Sequence, residues 1–503
     1  MKKKVGIIGS GIAGLSSAVR MAARGYEVHV FEANGYPGGK LCEISIGNYR
    51  FDAGPSLFTM PEYFEDLFAT VGKKFSDYCP YQKLDPITHY FYEDGTRYKT
   101  HASAEKSADE MAVQLNGNKK DILHHFENSK KLYELTAETF LHQSIHHYEN
   151  FSFIDLMKIS ANLKTLNLFT TMHDINHKKF KDAKLVQYFD RFATYNGSNP
   201  YEAPGTLNVI PHLEHNVGAF FPKGGMVSIS RSVYNLAVEL GVHFHFNTKV
   251  NEIKVEKKKV IGLSFNEVKR EDNKHIDVAK SEFLPVDLVI SNMDVAYTYR
   301  KLLPNEKHPE KTLNQPRALS AMVFYLGIKK EFPELGLHNI FFSKDYKHEF
   351  DRFFKQQSLA EDLTIYINIS SKYEKDDAPK GCENWFVMIN TPPHTGQDWD
   401  TLIKNARKNI IAKLSRILNE DIESLIEVED ILEPRIIETR NLSWQGSLYG
   451  NSSNNKFAAF LRHSNFSSKI KGLYFCGGSV HPGGGIPLSV LSAKIVDDLI
   501  PKK

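Results

Sequence analysis

Val5-Gly6-Ile7-Ile8-Gly9-Ser10-Gly11-Ile12-Ala13-Gly14 stands near the amino terminus, and its reading decides the fold. The apolar run Val5–Ile8 reads as a short buried strand. Gly9, Gly11 and Gly14 then form a GxGxxG that opens a helical stretch from Ile12 to Arg24. Gly25 suits the position just past a helix end, and Glu27 to Phe31 reads as the next strand. Together these make a compact βαβ unit. Gly9 permits a tight turn, Gly11 lets backbone approach a pyrophosphate, and Gly14 lets helix and strand pack closely. The helix N-terminus favours the phosphate charge. Glu32 ends the second strand, about 20 residues on, where a carboxylate can bind both ribose hydroxyls and repel a 2′-phosphate. A lone GxGxxG is weak evidence, but here strand, glycines, helix and acidic residue follow in order.

The flanking sequence favours FAD over NAD. Gly38-Gly39-Lys40 follows the acidic residue, where backbone without side chains runs close to an extended dinucleotide. Phe51-Asp52-Ala53-Gly54-Pro55-Ser56 is a second tight loop. At the far end stands Gly477-Gly478-Ser479-Val480-His481-Pro482-Gly483-Gly484-Gly485-Ile486-Pro487. Pro487 suits a first helical turn, and the glycines before it leave backbone N–H groups uncovered. Such a helix start stabilises negative charge by roughly 0.3–1 kcal/mol, the kind that builds on a reduced flavin.

Composition narrows the field. A chain of 503 residues exceeds one hydrophobic core, and 63 Lys+Arg against 60 Asp+Glu leave a net charge of +3, which gives nucleic acid no claim as partner. The four cysteines (Cys42, Cys79, Cys382, Cys476) form no CxxC, so neither a disulfide framework nor a zinc site is expected, and a reducing cytoplasm is. No run of about 18 uncharged apolar residues predicts a membrane span. Lys2, Lys3 and Lys4 before the apolar run Val5 to Val19 imitate a secretory signal, which has no need of this glycine spacing.

From Glu105 to Phe189 the pattern is mainly helical, and Val227–Leu240 reads as a helix. Strands are expected at Val242–Asn251, Glu252–Phe265, Val286–Ser291, Met322–Ile328, Thr364–Ile369, Trp385–Asn390 and Leu473–Cys476, then a helix from about Pro487 to Ile500. Two interleaved domains follow from this order. An FAD-binding domain takes 1–75, 215–300 and 435–503, and a substrate domain takes 76–214 and 301–434.

These motifs together resemble the carotenoid (phytoene) desaturase family, FAD enzymes with the glutathione-reductase type of fold. The run Leu473 to Pro487 is similar to that family's THPGGGIP signature, with Val480 in place of Thr. Tyr195–Pro200, Phe221–Met226, Ser291–Asp294 and Gly446–Gly450 match as well. The resemblance implies an α/β fold with a discontinuous Rossmann-type FAD domain and a second domain of sheet plus helices forming a long apolar tunnel. It implies a cofactor site of Gly9, Gly11, Gly14, Glu32, Gly38, Gly39, Lys40, Gly54, Pro55, Ser56, Val250, Gly478, Ser479, Gly485 and Ile486, with Val250 offering backbone to the adenine. Tyr49–Pro61 and His338–Ser343 look most like bacterial hydroxycarotenoid 3,4-desaturases.

The implied reaction is hydride transfer from an allylic C–H of a lipophilic carotenoid to flavin N5, with proton loss from the adjacent carbon. The polyene spreads the positive charge, so no general base is named. His481 is a candidate for positioning, or for bonding its own turn. Phytoene or diapophytoene desaturation, ketolation, isomerisation, and flavin-free binding of isoprenoid by a chaperone of the same fold are the alternatives.

Other features carry less. His142, His146 and His147 offer imidazoles at i and i+4 without a carboxylate, so no metal is expected. Lys257-Lys258-Lys259 reads as a solvated hairpin tip. Phe153 to Met172 is amphipathic, suiting either a packed helix or shallow insertion in a bilayer. A cytoplasmic protein held peripherally on the inner face of the cell membrane is the expected setting, with oligomeric state left open.

Overall fold

A computed structural model of the chain describes residues 2–147, 165–271, 274–278, 280–454 and 462–502. The opening unit forms strand Lys4–Ile8, helix Ile12–Ala23 and strand Glu27–Phe31, the strands parallel. Strands from three distant stretches complete a parallel sheet in the order Leu473–Phe475, Leu288–Ser291, Lys4–Ile8, Glu27–Phe31, His243–His245. A parallel sheet is covered on both faces, which is why its central strands hold short apolar runs such as Val5–Ile8 and Leu288–Ile290. Val5, Ile7, Val28 and Val30 pack with helices Ile12–Ala23, Val227–Glu239 and Ile486–Leu499. Ile8, Phe31, Val289 and Phe475 meet Val250, Ile253, Val260 and Leu263 on the opposite side.

Those last residues belong to an antiparallel hairpin of Thr248–Glu256 and Lys259–Glu271. The expected strand break between Asn251 and Glu252 is corrected. The strand runs on through a bulge between Val250 and Glu252, which lets both Val250 and Ile253 face the core. The chain turns only at Lys257 and Lys258, at φ 45° and 63°.

A second, mainly antiparallel sheet orders seven strands as Ile426–Leu432, Ser320–Ile328, Glu383–Thr391, Ile365–Asn368, His338–Phe341, Thr88–Phe91 and Arg97–Thr100. Only His338–Phe341 and Thr88–Phe91 run parallel. Successive side chains point to opposite faces. Met322, Phe324, Trp385, Val387, Ile365 and Ile367 share a core with Trp399, Ile410 and Leu414 of helix Trp399–Leu418. Ala321, Val323, Phe386, Met388, His338 and Tyr366 line a cavity instead.

Asp52 ties the two regions together. Its buried carboxylate accepts the N–H groups of Met226 (2.8 Å) and Val227 (3.2 Å) at the start of helix Val227–Glu239. Arg50 pairs with Asp52 at 2.8 Å, with Glu43 at 2.6 Å and with Asp377 at 3.0 Å. This fixes the strand that leads into Gly54-Pro55-Ser56. The four cysteines are free, and no described helix is long and apolar enough to cross a membrane. Of the amphipathic stretch Phe153 to Met172, residues 153–164 lie outside the described residues.

Candidate functional site

The first strand ends at Gly9, whose φ of 90° suits glycine. A β-carbon on Gly14 would stand 2.0 Å from the Gly9 carbonyl oxygen, and one on Gly54 would stand 1.8 Å from that of Lys40. Only glycine fits either place. Gly11 bridges to Gly38, and Gly38 N–H donates to the Ser10 carbonyl at 2.9 Å. Two glycine segments thus lie against each other with their backbones exposed to one cavity.

Helix Ile12–Ala23 begins at Gly11 without a side-chain cap. Its first N–H groups therefore remain open to an acceptor in the cavity. Helix Ile486–Leu499 begins the same way at Gly485, which has φ 107°. Gly9, Gly11, Glu32, Gly38, Gly39, Lys40, Gly54, Pro55, Ser56, Val250, Gly478, Ser479, His481, Gly485 and Ile486 all line this one cavity of about 700 Å³. Gly14 stands behind them as a packing residue.

Glu32 is held firmly. One carboxylate oxygen accepts the Ser10 N–H and hydroxyl at 2.8 and 2.9 Å, and the other accepts the Asn34 N–H and carboxamide, both at 2.9 Å. The two side-chain donors are the ones a ribose can displace. Burial pushes the Lys40 ammonium down to about 8, against the pull of Asp294.

Arg462 was not foreseen, since a single arginine carries no spacing to read. It is buried and donates to the carbonyls of Tyr449 (2.9 Å) and Gly478 (3.3 Å). No carboxylate among the described residues pairs with it, and burial pushes it down to about 10, with Arg317 adding to the effect. A cation without a counter-ion on a cavity wall suits an anionic ligand. The glycine cradle, two uncapped helix starts and this cation together fit an extended dinucleotide with a pyrophosphate, as FAD is.

His481 is buried, and its Nε2 lies 3.0 Å from the Gln143 carbonyl oxygen. That bond leaves its own turn and crosses to the helical region, unlike the within-turn alternative. Burial pushes the imidazole down to about 3, so it is neutral at ordinary pH. The proton sits on Nε2, because a carbonyl can only accept. Among the described residues no group of His, Cys, Asp and Glu is arranged to hold a metal. His142 bonds the Tyr63 hydroxyl at 3.0 Å instead.

The same cavity continues past the glycines into the helical region, along Leu141, Ile145, Leu166, Leu168, Leu207 and Ile210. The seven-stranded sheet adds Val323, Ile340, Phe386 and Met388. Polar groups interrupt this wall in several places, among them Thr136, Asn196, Thr206 and Arg191. Arg191 and Glu214 are both buried and lie 3.3 Å apart. Tyr195 donates to Glu214 at 2.6 Å, and Arg191 donates to the Tyr90 hydroxyl at 2.9 Å. Burial pushes the Glu214 carboxyl up, but Arg191, His215 and Tyr195 outweigh it and leave it below its usual value. Nearby, Ser56 Oγ, the Tyr366 hydroxyl and His338 Nδ1 form a chain with both links 2.7 Å.

Comparison with known proteins agrees with this arrangement. A sequence model described as flavin-containing amine oxidoreductase matches residues 12–496. The chain is 49% identical over 501 residues to a 1-hydroxycarotenoid 3,4-desaturase of a Flavobacterium species, covering 100% of this chain and 99% of that one. It is 32% identical to a 4,4'-diapolycopene oxygenase of a Methylomonas species, over 99% of this chain and 98% of that one. In shape it is similar to cyclohexylamine oxidase of Brevibacterium oxydans, with a TM-score of 0.61 at 13% identity and 99% coverage of both.

Proposed function

The chain belongs to the flavin-containing amine oxidoreductases, and from that premise we propose that it is an FAD-dependent 3,4-desaturase of 1-hydroxylated carotenoids. The single observation that carries the reading is the continuity of one cavity from the glycine cradle into an apolar chamber. Gly9, Gly11, Glu32 and Val250 take the adenosine half of the cofactor, with Gly14 packed behind them, and Lys40 takes its charged middle. Gly54–Ser56 and Gly478–Ile486 flank the flavin. FAD, when bound, supplies a two-electron acceptor.

The chain's own residues orient and shelter the substrate. Leu166, Leu207, Ile210 and Ile340 remove water from the polyene, and the sheet residues Val323 and Met388 set its path. Desaturation takes two hydrogens from adjacent carbons, and the conjugated chain spreads the charge that develops. His481 is a positioning residue: neutral, and tied to Gln143, it holds the glycine turn against the helical region. A substrate that lives in lipid brings the protein to a membrane surface peripherally.

The test is to supply phytoene, a non-hydroxylated carotene and its 1-hydroxy derivative in parallel. The expected product comes from the hydroxylated substrate, is lighter by two hydrogens and absorbs at longer wavelength. Products heavier by oxygen, the outcome that the oxygenase relative makes pertinent, or of unchanged mass, exclude desaturation. Conversion of phytoene alone moves the assignment to another desaturation.

A further inference from the structure

Most of the cavity's second half is apolar, yet a hydroxylated end group carries an oxygen that must not be left unpaired there. A site built to bond a hydroxyl rejects the analogue lacking it, because its own polar group is then stranded. The recognising group must also stand close to the cofactor. Carbons 1 and 3 of the substrate are separated by a single carbon, so a hydroxyl on carbon 1 is near the bond being oxidised.

His338 meets both conditions. It is 1% exposed and lies on the cavity-facing side of strand His338–Phe341. Its Nδ1 lies 2.7 Å from the Tyr366 hydroxyl and 3.3 Å from the Asn368 carboxamide nitrogen. An amide nitrogen only donates, so Nδ1 accepts and the proton of the neutral ring sits on Nε2. That Nε2 is buried without a hydrogen-bond partner among the described residues. The Tyr366 hydroxyl in turn bonds Ser56 Oγ at 2.7 Å, in the loop placed beside the flavin. The ring is thus held at Nδ1 through Tyr366 and Ser56, while its Nε2 keeps an unsatisfied N–H donor.

We propose that His338 Nε2 donates a hydrogen bond to the hydroxyl oxygen of the substrate's end group and so selects hydroxylated carotenoids. The inference rests on the desaturase reading above. Tyr366 acts through His338 and is a positioning residue. Burial pushes the imidazole down to about 4, which keeps it neutral and matched to an uncharged partner.

The experiment measures kcat/KM for a 1-hydroxycarotenoid and for its non-hydroxylated counterpart, with the flavin spectrum recorded for each variant. His338→Leu is expected to lower the ratio of the two values at least about tenfold, by loss on the hydroxylated substrate alone. His338→Gln, which retains an N–H at similar reach, is expected to recover part of it. Tyr366→Phe keeps the ring that packs there and is expected to lower the ratio less than His338→Leu. If His338→Leu does not retain flavin, the Tyr366→Phe ratio decides the matter, and no change in it overturns the proposal. Equal slowing of both substrates in His338→Leu overturns it while leaving the desaturase reading intact. A wild-type enzyme that accepts both substrates equally overturns the proposal and the 3,4-desaturase assignment together.

Discussion

Gly14 packs so tightly on Gly9 that a β-carbon at position 14 would stand 2.0 Å from the Gly9 carbonyl oxygen. The contact joins the first helix to the loop at the end of the first strand, so it sets where the helix start points. Gly14→Ala is expected to force the two apart at a cost of about 1–3 kcal/mol, typical of overpacking. Urea unfolding should show the loss, and the purified protein should carry less flavin. A variant as stable and as yellow as the parent would mean that the helix start has no part in holding the cofactor.

Glu32 anchors Ser10 and Asn34 and is proposed to bind the ribose, and one substitution removes both. Glu32→Ala strands the Ser10 and Asn34 donors and removes the carboxylate proposed for the ribose. Hydrogen bonds to a charged group contribute about 1.5–3 kcal/mol, so FAD should bind roughly ten- to a hundredfold more weakly. Equilibrium dialysis of the refolded, flavin-free protein measures this directly. Full flavin occupancy in the variant would remove Glu32 from the site.

Lys40 gives the flavin-free protein a pH dependence of known sign. Its ammonium is charged below about pH 8 and neutral above it. An anionic dinucleotide favours the charged form, so the bound state holds more protons than the free one. By linkage, affinity must fall as pH rises through 8, by up to about tenfold per pH unit. Fluorescence titration with FAD on either side of that pH should show the fall in the parent and a flat response in Lys40→Met. The same slope in both proteins would assign the titration elsewhere.

Glu214 neutralises Arg191 in the interior of the substrate region, 3.3 Å away. Removing one member of a buried pair leaves the other charge uncompensated, at about 3–5 kcal/mol. Glu214→Leu should therefore lower the urea midpoint more than any single change in the glycine cradle. A double variant that also replaces Arg191 by Met should recover much of the loss. Failure of that recovery would show that the two residues matter through other neighbours, such as Tyr195 and Tyr90.

The βαβ unit that carries the glycine cradle was legible because its elements follow one another locally along the chain. Gly9, Gly11, Gly14 and Glu32 sit at fixed offsets on a strand, turn and helix that a periodicity reading can find. In the substrate half the strands at Met322–Ile328, Thr364–Ile369 and Trp385–Asn390 were legible, but not which of their side chains face the cavity. Strand Ser320–Ile328 is buried at every position, so its sequence shows no alternation to say which side chains face the cavity. Strands Thr88–Phe91, Arg97–Thr100 and Ile426–Leu432 went unread, being short or bounded by charges. Ser56, His338 and Tyr366 meet only because of strand order, which no local pattern encodes.

The two-sided strands Ser320–Ile328 and Glu383–Thr391 have an evolutionary consequence. Val323 and Met388 meet whatever occupies the cavity, while their neighbours Met322 and Val387 meet the helix behind. A mutation at one of the former reshapes the passage without loosening the packing on the reverse side. Lineages built on this scaffold can therefore move between polyenes of different length and end group by single steps at alternate positions. The reserve of stability such a change draws on is confined to the smaller cluster of Phe51, Tyr325 and Phe386 against which Val323 and Met388 pack.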